Sequence, residues 1–407
     1  MTTEADSTTR VRTKNTNLQS AKAAKFDEFY TQWPDIEREM NAYLEYDPDV
    51  FRDKVILLPC DDPEWSNFAK FFALHLVEYG IKKLISTSYA PDSNPALFSY
   101  QPTLFELNDP QFDETKTHAN GKKFTLEPKD VNADGVVNID DLQWEYLEGD
   151  GDFRSAEVTA LRDEANIIIT NPPFSLFRAF IPWVVDAGKK LSVVGNNNAT
   201  TYVEVFPLIK ENRLWKGATA NSTDMVFGVP KGTPLKEADR LKAERLGYPS
   251  TQDRDFTRMG HACWFTNIEH GRRHEPLQLM TMADNIKFSK HKDVRGLDYQ
   301  RYYNFKEAIE VPWVDSIPSD YDGPMGVPIT FLDKYNPDQF QIIAHADDMD
   351  AMREIGVETL GEDFVKKYYE DGGTGGNSPG HRRLGLTRPH YYTAYKRIII
   401  RRRKDVS

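Results

Sequence analysis

The run Ala165-Asn166-Ile167-Ile168-Ile169-Thr170-Asn171-Pro172-Pro173-Phe174 limits what this chain can become more than any other stretch. Isoleucine and threonine in succession favour an extended, buried strand. The strand must stop at Asn171, because the two prolines that follow fix φ and have no N–H to offer a neighbour. What remains at its end is an amide, backbone carbonyls and an aromatic ring facing one spot. Such a spot accepts hydrogen bonds from a planar exocyclic NH2 group and stacks on the ring that bears it. As that amine attacks a methyl group its nitrogen gains positive charge, which fixed carbonyl dipoles stabilise without reorganising. Asn171, Pro172, Pro173 and Phe174 are therefore candidate catalytic residues for methylation of an amine. The plainer alternative is a strand ending in a Pro-Pro turn.

The surroundings are those of an α/β sheet. Residues 55–59 read as a buried strand running into the acidic turn Cys60-Asp61-Asp62-Pro63. A helical pattern follows from Asn67, with Ser66 as its cap, and then a strand over residues 83–89. This β-α-β unit implies a parallel sheet, whose ligands bind at the carboxyl ends of its strands. Asp61 and Asp62 stand at such an end. Phe29 and Tyr30 offer an aromatic wall for a nucleobase. In the turn 148–155, Asp152 is placed to bond an adenine amino group and Phe153 to pack on its ring. Counting further strands at 144–147, 165–170, 190–195, 223–229 and 262–267 gives about seven, mostly parallel. The first five are expected to be parallel, and 223–229 with 262–267 to form a closing hairpin. A Gly-x-Gly-x-x-Gly fingerprint is missing.

Residues 90–129, rich in Pro, Asn and Asp, read as an insertion over the sheet edge that ends in Asp130 to Asp141. Asp130, Asn132, Asp134, Val136 and Asp141 occupy positions 1, 3, 5, 7 and 12 of a calcium-loop pattern, with Gly135 at position 6. Asx-turns on a surface produce the same letters. Calcium is thus a candidate ligand, and a calcium-dependent interaction module a rival reading of the chain.

At 407 residues the chain exceeds one ordinary domain. Its two cysteines, Cys60 and Cys263, are unpatterned, which argues against a disulfide framework and for a reducing cytoplasm. No apolar run reaches membrane-span length. A net charge of −12 does not advertise a nucleic-acid binder, although binding needs only a local basic face. Such clusters gather after about Glu269: Arg272-Arg273-His274, His381-Arg382-Arg383, Lys396-Arg397 and Arg401-Arg402-Arg403-Lys404, with Tyr302-Tyr303 and Tyr391-Tyr392 among them. Gly372 to Gly376 reads as a flexible loop there.

Taken in order, Asp27-Glu28-Phe29-Tyr30-Thr31-Gln32, Cys60-Asp61-Asp62-Pro63, Gly149 to Ser155 and Thr170 to Phe177 resemble the adenine-N6 DNA methyltransferases of the EcoRI modification type. Met325-Gly326-Val327-Pro328-Ile329-Thr330-Phe331-Leu332-Asp333-Lys334-Tyr335-Asn336-Pro337 has no generic meaning among methyltransferases and points to that family itself. The resemblance implies a Rossmann-like class I sheet, S-adenosylmethionine as methyl donor and an adenine in double-stranded DNA, flipped out of the helix, as acceptor. Carried over by position, Asn171, Pro172 and Phe174 hold the target base. Phe29, Tyr30, Cys60, Asp61, Asp62, Asp152 and Phe153 line the cofactor pocket. The expected organisation is a disordered tail over 1–24, a catalytic domain over 25–270 with an insertion near 90–145, and a DNA-recognition region over 271–407. The chain is expected to work as a monomer. A methylase of RNA or of a protein amide, and an inactive DNA-binding relative, are the alternatives.

Overall fold

A computed structural model of the chain describes residues 29–63, 66–90, 109–130, 132–219, 224–374, 383–387, 390–394 and 396–403. The expected tail, Asp27, Glu28, residues 91–108, Thr223, Gly375, Gly376, His381, Arg382 and Lys404 lie outside the described residues.

In chain order the first strands are β1 (Tyr30–Thr31), β2 (Val55–Leu58), β3 (Lys83–Ser88), β4 (Lys122–Leu126), β5 (Gln143–Tyr146) and β6 (Ile167–Thr170). Then come β7 (Lys190–Asn196), β8 (Trp215–Lys216), β9 (Met225–Pro230), β10 (Arg254–Met259) and β11 (Ala262–Thr266). Eight of them make one sheet in the order β5-β4-β3-β2-β6-β7-β11-β8. The middle four, β3, β2, β6 and β7, are mutually parallel. The outer pairs, β4 with β5 and β11 with β8, run antiparallel to their neighbours.

Several expectations change here. The five expected strands do run in one direction, but residues 143–146 join the sheet only through the unforeseen, antiparallel β4 and so have no parallel neighbour. The stretch read as an insertion supplies the outermost two strands. Residues 225–230 and 262–266 do not pair with each other. Instead β9 lies between β1 and β10 in a separate three-stranded sheet, and β11 pairs with β7. The β9 partner was hard to foresee because β1 is only two residues long.

The parallel strands are buried on both faces, and β2 and β6 are almost wholly apolar, as strands covered on both sides tend to be. One face of the large sheet (Ile56, Leu58, Ile167, Ile169, Val194, Trp264) packs on Ile36, Met40 and Tyr43 of helix Trp33–Tyr46 and on Phe68, Phe71 and Phe72 of helix Asn67–Leu74. The opposite face (Leu57, Ile168, Val193, Phe265) meets Phe180, Ile181 and Val184 of helix Phe177–Val185.

That second core does not end with the sheet. It continues into Ile309, Met325, Val327, Ile342, Ile398 and Ile400. These residues belong to a five-stranded sheet of β12 (Arg301–Tyr302), β13 (Phe305–Glu310), β14 (Met325–Pro328), β15 (Phe340–His345) and β18 (Arg397–Arg402), ordered β12-β13-β14-β18-β15. The short pair β16 (Gly385–Leu386) and β17 (Tyr392–Thr393) stands beside it. The chain is thus mixed α/β, and its two halves share one apolar core. Among the described residues no helix is long and apolar enough to cross a membrane.

The calcium expectation is not supported. Asp130 accepts from the N–H groups of Ala133 (2.6 Å) and Gly135 (2.8 Å), and Asn132 and Asp134 accept from Asp134 (3.0 Å) and Val136 (2.9 Å). Asp141 is buried and accepts from Asn132 (3.1 Å) and Asn138 (3.0 Å). The side chains that resembled metal ligands hold the loop's own backbone, as Asx-turns do. No group of three His, Cys, Asp or Glu suited to a metal ion occurs among the described residues.

Candidate active site at the carboxyl edge of the sheet

β2 and β6 are adjacent and parallel, so Cys60-Asp61 and Asn171-Pro172 leave the sheet side by side. Their ends are tied together: the Thr170 hydroxyl donates to the Pro59 carbonyl at 2.7 Å. Cys60 has φ of 68°, the left-handed region in which a side chain is strained. The Thr87 hydroxyl at the end of β3 steadies this turn by accepting from the Cys60 N–H at 3.3 Å. One residue on, Asp61 is 6% exposed and accepts at Oδ1 from the Ser66 hydroxyl at 2.6 Å. Ser66 is the expected cap, its Oγ accepting from the Phe68 N–H at 3.1 Å. Turn, cap and helix therefore form one connected unit.

Asn171 donates through Nδ2 to the backbone carbonyl of Phe29. The Phe29 ring stacks on Phe174, with centroids 5.8 Å apart and planes 22° apart, and meets Phe227 of β9 edge-on at 6.1 Å. Tyr30 lies under the Arg254 guanidinium at 5.5 Å. A cleft between these elements is lined by Phe29, Tyr30, Thr31, Cys60, Asp61, Ser66, Phe68, Asn171 and Pro173. Pro172 is buried behind it, and Asp62 holds the turn, its carbonyl accepting from the Ser66 N–H at 2.7 Å.

Thr31 was not foreseen as a site residue. It is 2% exposed, lines the cleft and has a hydroxyl with no hydrogen-bond partner. A polar atom buried in that way is costly unless a ligand or water meets it. Its only signal in the sequence was its place beside Tyr30.

The glycine turn is placed differently from expectation. Gly151 has φ of 87°, and a Cβ there would lie 2.3 Å from the Ser88 carbonyl oxygen, so the turn sits hard against the end of β3. Phe153 is fully buried between Phe180 (5.1 Å) and Trp183 (5.2 Å), so its ring serves the core and is not free to stack on a nucleobase. The Arg154 guanidinium grips Asp152, donating from Nε at 2.9 Å, and holds its carboxyl below the usual range. Neither residue lines the cleft that holds Asn171.

The aromatic wall is fastened from behind. Glu39, fully buried, accepts from Tyr43 Oη (2.6 Å), the N–H groups of Ala218 and Thr219 (both 2.8 Å) and the Thr219 hydroxyl (2.6 Å). This anchors the segment after β8 that precedes β9, and β9 carries Phe227.

The model of the family described as adenine-specific methyltransferase EcoRI matches residues 17–403. The chain belongs to the EcoRI adenine-specific methyltransferase family. Within the EcoRI methylase family, it is 37% identical over 332 residues to Type II methyltransferase M.EcoRI of Escherichia coli, covering 81% of this chain and 89% of that protein. It is 32% identical over 387 residues to Type II methyltransferase M.MpnI of Mycoplasma pneumoniae, covering 95% and 98%. Type II methyltransferase M.MgeORF184P of Mycoplasma genitalium is 31% identical over 323 residues, covering 79% and 84%. No solved structure matches the chain.

Among the described residues, several members of the basic clusters serve the fold. Arg273 is 4% exposed, bonds Glu269 at 2.6 Å and lies 3.5 Å over the Trp215 ring. His274 sits between Glu269 and Asp338, each at 3.1 Å, and these carboxylates raise its pKa. Arg397 clamps the buried Glu310, Arg402 donates to the Ser319 carbonyl, and Arg403 to that of Pro337 at 2.7 Å.

Proposed function

We propose that this chain transfers a methyl group from S-adenosylmethionine to N6 of an adenine flipped out of a specific site in double-stranded DNA. The convergence of Asn171, Phe29 and Asp61 on one cleft is the observation that carries this reading. The residues fit the cofactor: Phe29 and Tyr30 suit its adenine, Asp61 its hydroxyl or ammonium groups, and the buried Thr31 hydroxyl is a hydrogen-bonding atom awaiting a partner. When bound, the cofactor supplies a methyl group on a positively charged sulfur.

The protein's part is orientation. Because Asn171 Nδ2 faces the Phe29 carbonyl, its Oδ1 is turned the other way and accepts from the adenine N6–H. The Pro172 carbonyl accepts the second N6–H and orients the nitrogen lone pair, an effect of positioning and fixed dipoles. Extrusion costs a few kcal/mol. Stacking on Phe174 offsets roughly 1–3 kcal/mol of that. No thiolate is required, and Cys263, buried where its thiol is pushed up in pKa, is a packing residue. Residues 25–270 form the catalytic part in this reading, and 271–407 present the recognition surface to DNA.

The test is to express the full chain in cells lacking adenine methylation and to sequence their DNA for modified bases. N6-methyladenine at one short sequence is expected with wild type and none with Asn171→Ala. Unmodified DNA from cells making folded wild-type protein would overturn the proposal.

A further inference from the structure

The half that follows residue 270 holds a hollow of about 360 Å³ that methyl transfer does not use. That volume is in the range of small-molecule sites. Three segments build it. The loop after helix Met282–Phe288 contributes Asp293, Leu297, Asp298 and Tyr299, the chain just past β13 adds Trp313, and β17 adds Tyr392. Leu297, Trp313 and Tyr392 are 52%, 43% and 41% exposed, so large apolar side chains gather in the open around one concavity.

The rings are held in place. His291 stacks on Trp313 with centroids 4.3 Å apart and planes 6° apart, which leaves the other face of the indole for a ligand. Lys290 and His291 each lie 2.8 Å from Asp315, so that nearby carboxylate is already engaged. Tyr299 commits its hydroxyl to the Ser316 carbonyl at 2.5 Å.

The charges of the hollow point one way. Arg397 lines it, but the buried Glu310 clamps its Nε at 3.0 and 3.1 Å. Asp293 and Asp298 differ: both are exposed, and neither makes an ion pair or a side-chain hydrogen bond among the described residues. Two carboxylates without a counter-charge repel a phosphate and attract a cation. A metal ion fits poorly, since no group of three His, Cys, Asp or Glu suited to one occurs among the described residues. A cation carried on an apolar stem satisfies both the rings and the carboxylates.

We propose that this hollow binds an aliphatic diamine or polyamine, its stem against Leu297, Tyr299 and Trp313 and its ammonium groups on Asp293 and Asp298. An ammonium over the face of a Trp or Tyr ring gains attraction beyond that of the ion pair. The hollow shares no lining residue with the cleft that holds Asn171, and it does not depend on the reaction proposed there.

Calorimetric titration of the full chain with spermidine at low salt tests it, and a single saturable site is expected. D293N/D298N should weaken binding about tenfold, and W313A about threefold. Because the chain carries a net charge of −12, diffuse attraction needs its own control. E237Q/E244Q removes two exposed carboxylates from helix Glu237–Arg245 and should bind spermidine as wild type does. Tm values that match wild type show that the variants are folded. No saturable heat at millimolar spermidine overturns the site, as does equal weakening in the two double variants. Displacement by magnesium chloride at equal concentration also overturns it. So does adenosine binding that D293N/D298N weakens, which would make the hollow a nucleobase site instead.

Discussion

The side-chain nitrogen of Asn171 is held by the backbone carbonyl of Phe29, 142 residues earlier in the chain. The segment before the first long helix therefore decides which end of the Asn171 amide faces the cleft. Asn171→Asp keeps an acceptor oxygen but sets a carboxylate against that carbonyl. Methyl transfer should fall at least about 100-fold, while S-adenosylmethionine affinity stays within about threefold. Single-turnover assays beside cofactor titration separate the two. Turnover near wild type would remove the amide from the mechanism.

Thr31→Val replaces a buried hydroxyl that has no partner with a methyl group of the same shape. The apoprotein should lose no stability, since no internal hydrogen bond breaks. Cofactor affinity should drop about 5–10-fold if the hydroxyl meets the cofactor. Calorimetric titration reads this directly, and equal affinities would discharge Thr31 from the site.

Gly217 has its own reason to be glycine. A Cβ there would stand 2.3 Å from Glu39 Oε1 and 2.4 Å from the Trp264 Cβ. Gly217→Ala should destabilise the fold by about 2–4 kcal/mol, through overpacking and damage to a buried carboxylate network. Urea unfolding measures it, and a change below about 0.5 kcal/mol would show that the segment moves aside freely.

Burial pushes the Asp35 carboxyl up to about 6, and Arg38 at 3.5 Å only partly opposes this. Between about pH 4 and 6 the folded chain keeps a proton that the unfolded chain has released, so this group's contribution to stability falls as pH rises through that window. Asp35→Asn should gain about 1–3 kcal/mol at pH 7.5 and almost nothing at pH 4. An equal gain at both values would assign the effect to something other than the proton.

The carboxyl-edge turns were legible in the sequence because β2 and β6 are short, wholly buried runs bounded by residues that cannot extend them. Ser66 was legible as a cap for the same local reason. What escaped depends on distant partners. β4 is half-polar, since it lies toward the edge of the sheet, and its Lys-Lys-Phe-Thr-Leu reads as loop. Glu39 looks like a surface residue until Ala218 and Thr219 arrive to bond it. Phe153 resembles a stacking ring but is drawn into the core by Phe180 and Trp183. Arg397, Arg402 and Arg403 were read as part of a surface for DNA, whereas around the buried run Ile398 to Ile400 they bind a carboxylate and backbone carbonyls.

The position of β18 has a consequence for how the chain is made. β14 and β15 do not pair with each other; β18 lies between them and pairs with both. On a ribosome moving at about 5–20 residues per second, β15 waits roughly 3–10 s after His345 before Arg397 emerges. During that interval both strands present open edges, the form in which nascent sheets stick to one another. The half of the molecule assigned to DNA is therefore the last to take shape, and an unfinished chain has no completed surface with which to grip a genome.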